Sequence, residues 1–509
     1  MSRALLLIVC GLLLVVAQLR RDANVATLSL ATEPNVPVRV YLSKSDRPFR
    51  LHPVDAILPL KIDLFYRDTM WRAKPDPRTI ELVNNEQSHF YLLDGSATFT
   101  LPAGDYKIEA FRGTLYEPAS STFTLKAGET RRVVLPMKRW AAGDWISADD
   151  HIHLPRQPAD DRAFLKLLAA EDLSVGMFLQ LQRQIDAAPQ YGFGPQAEAK
   201  MPGYSIRSGQ ESRAEYYGHI NLLGGRELVR PLSVGAMYAN EPNASPFPAL
   251  LFDRGKKVGA LRGFAHFHGS MTHSTLPMDL ALGNLDFLEV FQFGKLWTTE
   301  WYELLNAGFV VTGIAGSDFP VPLGRSVPWP KWLPLLGPER ALVKGRPSAS
   351  AYESWAEGVR RGEVVVSNGP LVELTRNGET LSATASFWRP LESIEIVRNG
   401  VVVATIKGDG AKRSLSVTAT AGAESAWFAA RTKARKEEGE PDILGHTNPR
   451  YVLRDGKPAM VRAAREAYAK RWRAEVEYYK NANLPFATAA QRDEFFAYCE
   501  RARSALEVY

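Results

Sequence analysis

The chain has 509 residues, 45% of them hydrophobic and 23% charged, with 62 basic and 56 acidic side chains for a net charge of +6. This is ordinary globular composition spread over about three domains' worth of chain, which excludes a mainly disordered, collagen-like or coiled-coil protein. No long basic block points to nucleic acid, and two cysteines so far apart as Cys10 and Cys499 exclude a disulfide scaffold.

Residues 1–26 read as a signal peptide: Arg3, an apolar run from Ala4 to Ala17, and Val15 and Ala17 as a small-residue cleavage pattern. The run is shorter than the roughly 20 residues of a membrane span, so the expectation is an exported chain, periplasmic or extracellular, with no stable span after removal of the signal. From 27 to 139, short alternating runs (VPVRVYL, LKIDLFY, SATFTL, YKIEAF, STFTL, RRVVLPM) separated by turn residues predict a β-sandwich. From 140 to 370, apolar strands alternate with helical stretches such as DRAFLKLLAAEDLSVGMFLQLQ and TTEWYELLNAGFVVTGIAGSD, which predicts an α/β barrel or layered sheet. Strands return over 371–458, where Asn399-Gly400 marks a hairpin. The tail from 459 to 509 is helical and charge-rich, with Trp472 and Tyr478 available to pack on the barrel or on a partner.

The chemistry-bearing residues concentrate in the 140–370 stretch. Of nine histidines in the chain, six fall between 151 and 273, where an even spread puts about two. His52, His89 and His446 read as packing or surface groups, His446 in a loop. His151 and His153 follow the strand DWISADD, and residues two apart in a strand share a face, so both imidazoles reach one cation. Asp149 and Asp150 precede them as ligand or as the carboxylate that orients a ligating histidine. Glu211 and His219 lie across a polar turn in SGQESRAEYYGHINLLGG and suit a mixed nitrogen and oxygen site. His266 and His268 form a second His-x-His in GFAHFHG, while His273 beyond them is the weakest of the six. Glu289 ends the apolar strand FLEVFQF, where an unpaired carboxylate is costly to bury, and Asp318 ends VVTGIAGSD. Four strand ends thus present histidine or carboxylate, at the edge where α/β folds place their sites.

The order DDHIHL, GQE, GHINLLG, GFAHFHG, FLEVFQF, AGSD resembles the PHP (polymerase and histidinol phosphatase) superfamily, and most of all its CehA/McbA-type metallohydrolases, over roughly 140–375. The resemblance implies a distorted (β/α)7 barrel whose strand ends hold divalent metals. It implies His151, His153, Glu211, His219, His266 and Asp318 as ligands, and Asp149 as the acid before the first histidine. Two positions depart from the family: MFLQLQ, with Gln180 and Gln182, stands where the family has Asp-His, and Phe319-Pro320 follows Asp318 in place of Asp-x-His. One or two ions of Zn, Mn or Fe are therefore expected rather than three.

The residues point to metal-assisted hydrolysis through a metal-activated water, and the resemblance implies ester, amide, carbamate or phosphoester bonds as its targets. In that reading Asp149 or Asp318 orients or deprotonates the water and His268 protonates the leaving group. Arg325 and Arg340 read as surface arginines. Ser208 carries no sign of activation, which disfavours a serine hydrolase. The competing expectations are a catalytically degenerate barrel acting as an exported binding protein, and a purely structural metal.

Overall fold

The computed structural model describes residues 24–49, 78–84, 87–183, 185–321, 330–346 and 350–507. The signal-peptide reading up to residue 23 with Cys10, His52, the strand expected at LKIDLFY, and Arg325 all lie outside the described residues. No helix among the described residues is long and apolar enough to cross a membrane.

The N-terminal strands follow from alternation. Along Val25–Glu33 every second residue turns inward, burying Ala26, Leu28 and Leu30. This strand pairs antiparallel with Ser96–Pro102 and parallel with Thr130–Pro136. A second sheet runs Thr79–Asn84, Gln87–Leu92, Val38–Lys44, Gly104–Phe111, Ala119–Leu125. Leu28 and Leu30 from the first sheet share one apolar core with Val40, Phe90, Ile108 and Phe123 from the second. Strands thus form at the expected SATFTL, YKIEAF and STFTL, and also at 79–84 and 87–92, where no strand was expected.

Seven strands carry the centre: Trp145–Ile152, Val175–Arg183, Tyr204–Ala214, Gly218–Leu223, Leu261–Phe264, Phe287–Gln292 and Thr312–Ala315. The sequence suggested repeated βα units in a (β/α)7 barrel; the described sheet is mixed. Tyr204–Ala214 and Gly218–Leu223 form an antiparallel hairpin, and Gly218–Leu223 is antiparallel to Leu261–Phe264 as well. The residues 215–217 between the hairpin strands are far too few for the crossover a parallel pair needs. The first and last strands meet through a single parallel bridge, Ile152 to Phe319, where the His153 N–H donates to the Phe319 carbonyl (2.7 Å) and the Phe319 N–H to that of His151 (3.1 Å). Nearly every residue of Trp145–Ile152, Tyr204–Ala214 and Phe287–Gln292 is buried, as expected of strands covered on both faces.

The N-terminal unit is keyed to the centre by buried charge. Arg39 and Glu171, both fully buried, lie 3.3 Å apart. The Tyr91 hydroxyl also donates to Glu171 (2.7 Å), and Arg39 donates to the carbonyls of Leu333 and Lys331. Arg340, expected at the surface, is instead fully buried and donates to the carbonyls of Gly337, Glu171 and Asp172. At the other end Val364–Ser367 pairs with Ile443–Thr447, so the C-terminal strands continue the central sheet. Asn399 and Gly400, both at positive φ, turn the expected hairpin between Leu391–Arg398 and Val401–Lys407. His446 sits on the strand Ile443–Thr447 rather than in a loop, and its ring meets the Tyr302 hydroxyl. The tail helices Arg462–Asn481 and Ala489–Glu507 pack on the central unit: Trp472, Tyr479, Phe495 and Tyr498 share a core with Tyr217, Phe247 and Met278.

Candidate metal centre

The hairpin sets one wall of the site. Its register pairs Glu211 with Asn221 and Arg213 with His219, so the two-residue period of each strand points all four side chains to one face. Glu211, expected on the rim of a polar turn, is fully buried in mid-strand. Trp145–Ile152 brings His151 and, one residue past its end, His153. The ends of Leu261–Phe264 and Thr312–Ala315 bring His266 and Asp318. Both His266 and Asp318 hold φ of 52°, a left-handed backbone that side chains other than Gly adopt at a cost and that gathers at functional sites. Close approach of the chain segments explains two glycines: a Cβ on Gly316 meets Asp150 Oδ1 at 2.2 Å, and one on Gly269 meets the His219 nitrogen at 2.4 Å.

The expected ligands converge as two overlapping triads, His151/His153/Asp318 and His151/Glu211/His266, each with its donor atoms within 4.8 Å of one another. At the first, His151 Nε2 is 3.1 Å from His153 Nε2 and 3.5 Å from Asp318 Oδ1, and His153 Nε2 is 3.3 Å from Asp318 Oδ1 and 3.4 Å from Glu211 Oε2. An ion with tetrahedral ligands at about 2.0–2.1 Å separates its donor atoms by about 3.3–3.4 Å. The spacing therefore fits such an ion. On the far side of Glu211, Oε1 lies 3.0 Å from His219 Nδ1 and 3.6 Å from His266 Nε2. These two buried atoms sit at polar contact distance without a well-directed hydrogen bond, and a cation held by both would satisfy them.

The outer nitrogens are already committed. His151 Nδ1 donates to Glu289 Oε1 (2.8 Å), His153 Nδ1 to the Leu179 carbonyl (2.9 Å) and His266 Nδ1 to Gln292 Oε1 (2.5 Å). His219 Nε2 meets the Tyr238 hydroxyl at 3.1 Å. For His151, His153 and His266 the inner nitrogen is thereby left as a lone pair aimed at the centre, the arrangement by which ligating histidines are held. Two lone pairs facing each other at 3.1 Å, those of His151 and His153, require a proton or a cation between them. Burial opposes a proton on His151, but Glu289, Asp318 and Glu211 outweigh it and raise its pKa well above the usual imidazole value. Glu211 is held well below the carboxylate range although burial pushes it up, because Arg213 and the histidines surround it; Arg213 donates to its Oε2 from both Nε and Nη2 at 2.8 Å. Asp318 is likewise lowered against burial by His151, His153 and His266. The centre is an acidic cage that draws positive charge.

Two expected roles fall elsewhere. The Asp149 carboxylate accepts the N–H of His151 and Ser317 on Oδ1 and the Ser317 hydroxyl and Gly337 N–H on Oδ2. Three backbone N–H groups and one hydroxyl thus occupy both carboxylate oxygens, so Asp149 ties the strand ends together. His268 is exposed and lines a cavity that includes none of the clustered ligands, because positive φ at both His266 and Phe267 turns the chain between the two rings. His273 stacks on Tyr478 and bonds Glu475 of the tail. Gln180 binds Asp186 and the Gln190 N–H, so the second strand's end brings no ligand. Ser208 accepts from Arg156. Arg213, Asn221, Tyr238 and Gln292 were not anticipated. The first was legible in Glu-Ser-Arg, whose ends share a strand face. Gln292 was hidden by the irregular register between Glu289 and Phe291, which lets residues three apart both face inward.

No protein-family profile matches the chain, and no curated protein does. Among solved structures it is similar to a two-domain protein from Bacteroides vulgatus described as containing a predicted PHP-like metal-dependent phosphoesterase. The likeness has 12% identity and a TM-score of 0.33, and covers 60% of this chain and 94% of that one. A score that low does not equate the two folds, and the metal reading rests on the donor geometry alone.

Proposed function

We propose that the chain is a divalent-metal-dependent hydrolase with two adjoining metal positions. The observation that carries this is the pair of opposed Nε2 atoms, 3.1 Å apart, on histidines whose Nδ1 protons are both given outward. His151, His153 and Asp318 would hold one ion; His219, His266 and Glu211 Oε1 would hold the other. A bound divalent ion lowers the pKa of its water toward about 7 and polarises a carbonyl or phosphoryl oxygen. The chain's own groups do the rest. Glu289, the Leu179 carbonyl and Gln292 fix which nitrogen of each ring stays bare, and Arg213 pins Glu211 so that its Oε1 faces the histidines.

Mixed imidazole and carboxylate donors suit Zn, Mn or Fe. The resemblance of the motif order to CehA/McbA-type enzymes of the PHP superfamily supports ester, amide, carbamate or phosphoester substrates. The Arg3-led apolar run supports an exported enzyme. The absence of a ligand at Gln180 favours two positions over three, and it is the one observation that favours the alternative of a degenerate exported binding protein. Metal-dependent turnover of p-nitrophenyl acetate or bis-p-nitrophenyl phosphate, restored by Zn, Mn or Fe after chelation and abolished in Glu211→Gln, is the expected result. Metal-loaded protein with no turnover on either substrate class overturns the hydrolase and leaves the binder.

A further inference from the structure

The cavity lined by His268, of about 360 Å³, lies between the helices Thr298–Asn306 and Arg462–Asn481 and the chain segment 267–277. That volume falls in the range of about 300–1,000 Å³ typical of small-molecule sites. Phe267, Leu276 and Leu304 give it apolar walls, and Glu300, Glu303 and Glu475 give it three carboxylates. One guanidinium, Arg471, faces the same space and pairs with Glu303 at 2.9 Å. Lys295, outside the lining, comes no nearer to Glu300 than 4.0 Å, and Glu475 is engaged by His273 and the Ser274 N–H. The lining keeps a surplus of negative charge.

The second observation is Tyr468, which lines the cavity, is only 6% exposed, and has a hydroxyl with no hydrogen-bond partner. Its side chain shares the lining with Arg471, Glu303 and Glu475. A buried hydroxyl left without a partner is costly, and a ligand donor would remove that cost. The carboxylates and His268 do not converge as a metal-binding group among the described residues.

We infer that this cavity binds a small organic cation: a primary ammonium on an apolar body. The ammonium donates to the Tyr468 oxygen and to the carboxylates, while the apolar body packs on Phe267, Leu276 and Leu304, with the Phe267 ring available for a cation–π contact. The cavity shares no residue with the candidate metal ligands, so its test stands apart from the hydrolase reading.

The experiment is calorimetric titration of the purified protein with 2-phenylethylamine, with 2-phenylethanol as the uncharged counterpart. Saturable binding of the amine, at least tenfold tighter than the alcohol, is expected. It weakens at least tenfold in Tyr468→Phe and in the double variant Glu300→Gln/Glu303→Gln, both with unchanged metal content and melting temperature within a few degrees. Tyr468→Phe removes only an unpartnered oxygen, so it tests the site without endangering the fold. No saturation by about 10 mM, an affinity weaker than about 3 kcal/mol, equal binding of amine and alcohol, or unchanged affinity in the folded variants overturns the inference.

Discussion

Replacing Glu289 by Gln tests the claim that the shell around the imidazoles was built for a metal. Glu289 accepts twice: Oε1 takes the His151 Nδ1 proton at 2.8 Å and Oε2 takes the His266 backbone N–H at 2.5 Å. An amide of the same shape can satisfy only one. With its oxygen toward His151, its NH2 group meets the His266 N–H head on. With its NH2 toward His151, the ring must accept at Nδ1 and carry its proton on Nε2, the very atom aimed at His153 and Asp318. Either outcome misplaces a ligand, and loss of such outer partners costs about 10–100-fold in metal affinity, or about 1.4–2.7 kcal/mol. Metal-free protein titrated with Zn or Mn against a chromophoric chelator reads this directly. Affinity within twofold of the wild type refutes the reasoning, because Glu289 would then be an incidental buried carboxylate.

Further outcomes follow from other contacts. Arg39→Met strands the fully buried Glu171 and is expected to lower stability by about 3–5 kcal/mol in urea unfolding; a loss under about 1 kcal/mol contradicts the buried pair's role. Asp279, held by Thr275 and Asn284, has its pKa pushed by burial from the usual carboxylate range up to about 7. The folded state therefore keeps a proton that the unfolded state gives up, so the stability this carboxyl confers is full below pH 4 and falls as pH rises to 7. Asp279→Asn is expected to flatten the decline in melting temperature between pH 5 and 8, and an unchanged slope removes Asp279 as its source. Gly269→Ala, whose new methyl meets the His219 backbone nitrogen at 2.4 Å, is expected to push that strand and lower both melting temperature and metal content. Gly283→Ala, at a similar φ of +67° with nothing within 4 Å, is the control for backbone strain alone; equal effects from the two contradict a packing role for Gly269.

The ligands were legible because strand periodicity needs no tertiary knowledge: His151 with His153, and Glu211 in a polar run before His219, advertise shared faces. Their partners were harder to see. Asp149 looked like a base because it adjoins His151, but the carboxylate's neighbours Ser317 and Gly337 lie more than 160 residues away in sequence and no local pattern reports them. His268 shared a His-x-His with His266, yet consecutive left-handed residues at 266 and 267 broke the strand rule that would have paired them. Arg340 read as surface because arginine usually is; its burial depends on the carbonyls of Glu171 and Asp172, which only the fold presents. Within the expected distorted (β/α)7 barrel, the antiparallel pair flanking 215–217 was legible in the sequence, since three residues leave no room for a crossover.

The most direct test of the central claim is elemental analysis of the purified protein beside the His151→Ala/His153→Ala variant. One to two equivalents of Zn, Mn or Fe in the wild type, fallen by at least one equivalent in the folded variant, is the result this account requires. Wild-type protein that takes up no transition metal even after incubation with all three contradicts it, and the opposed imidazoles would then share a proton and nothing more.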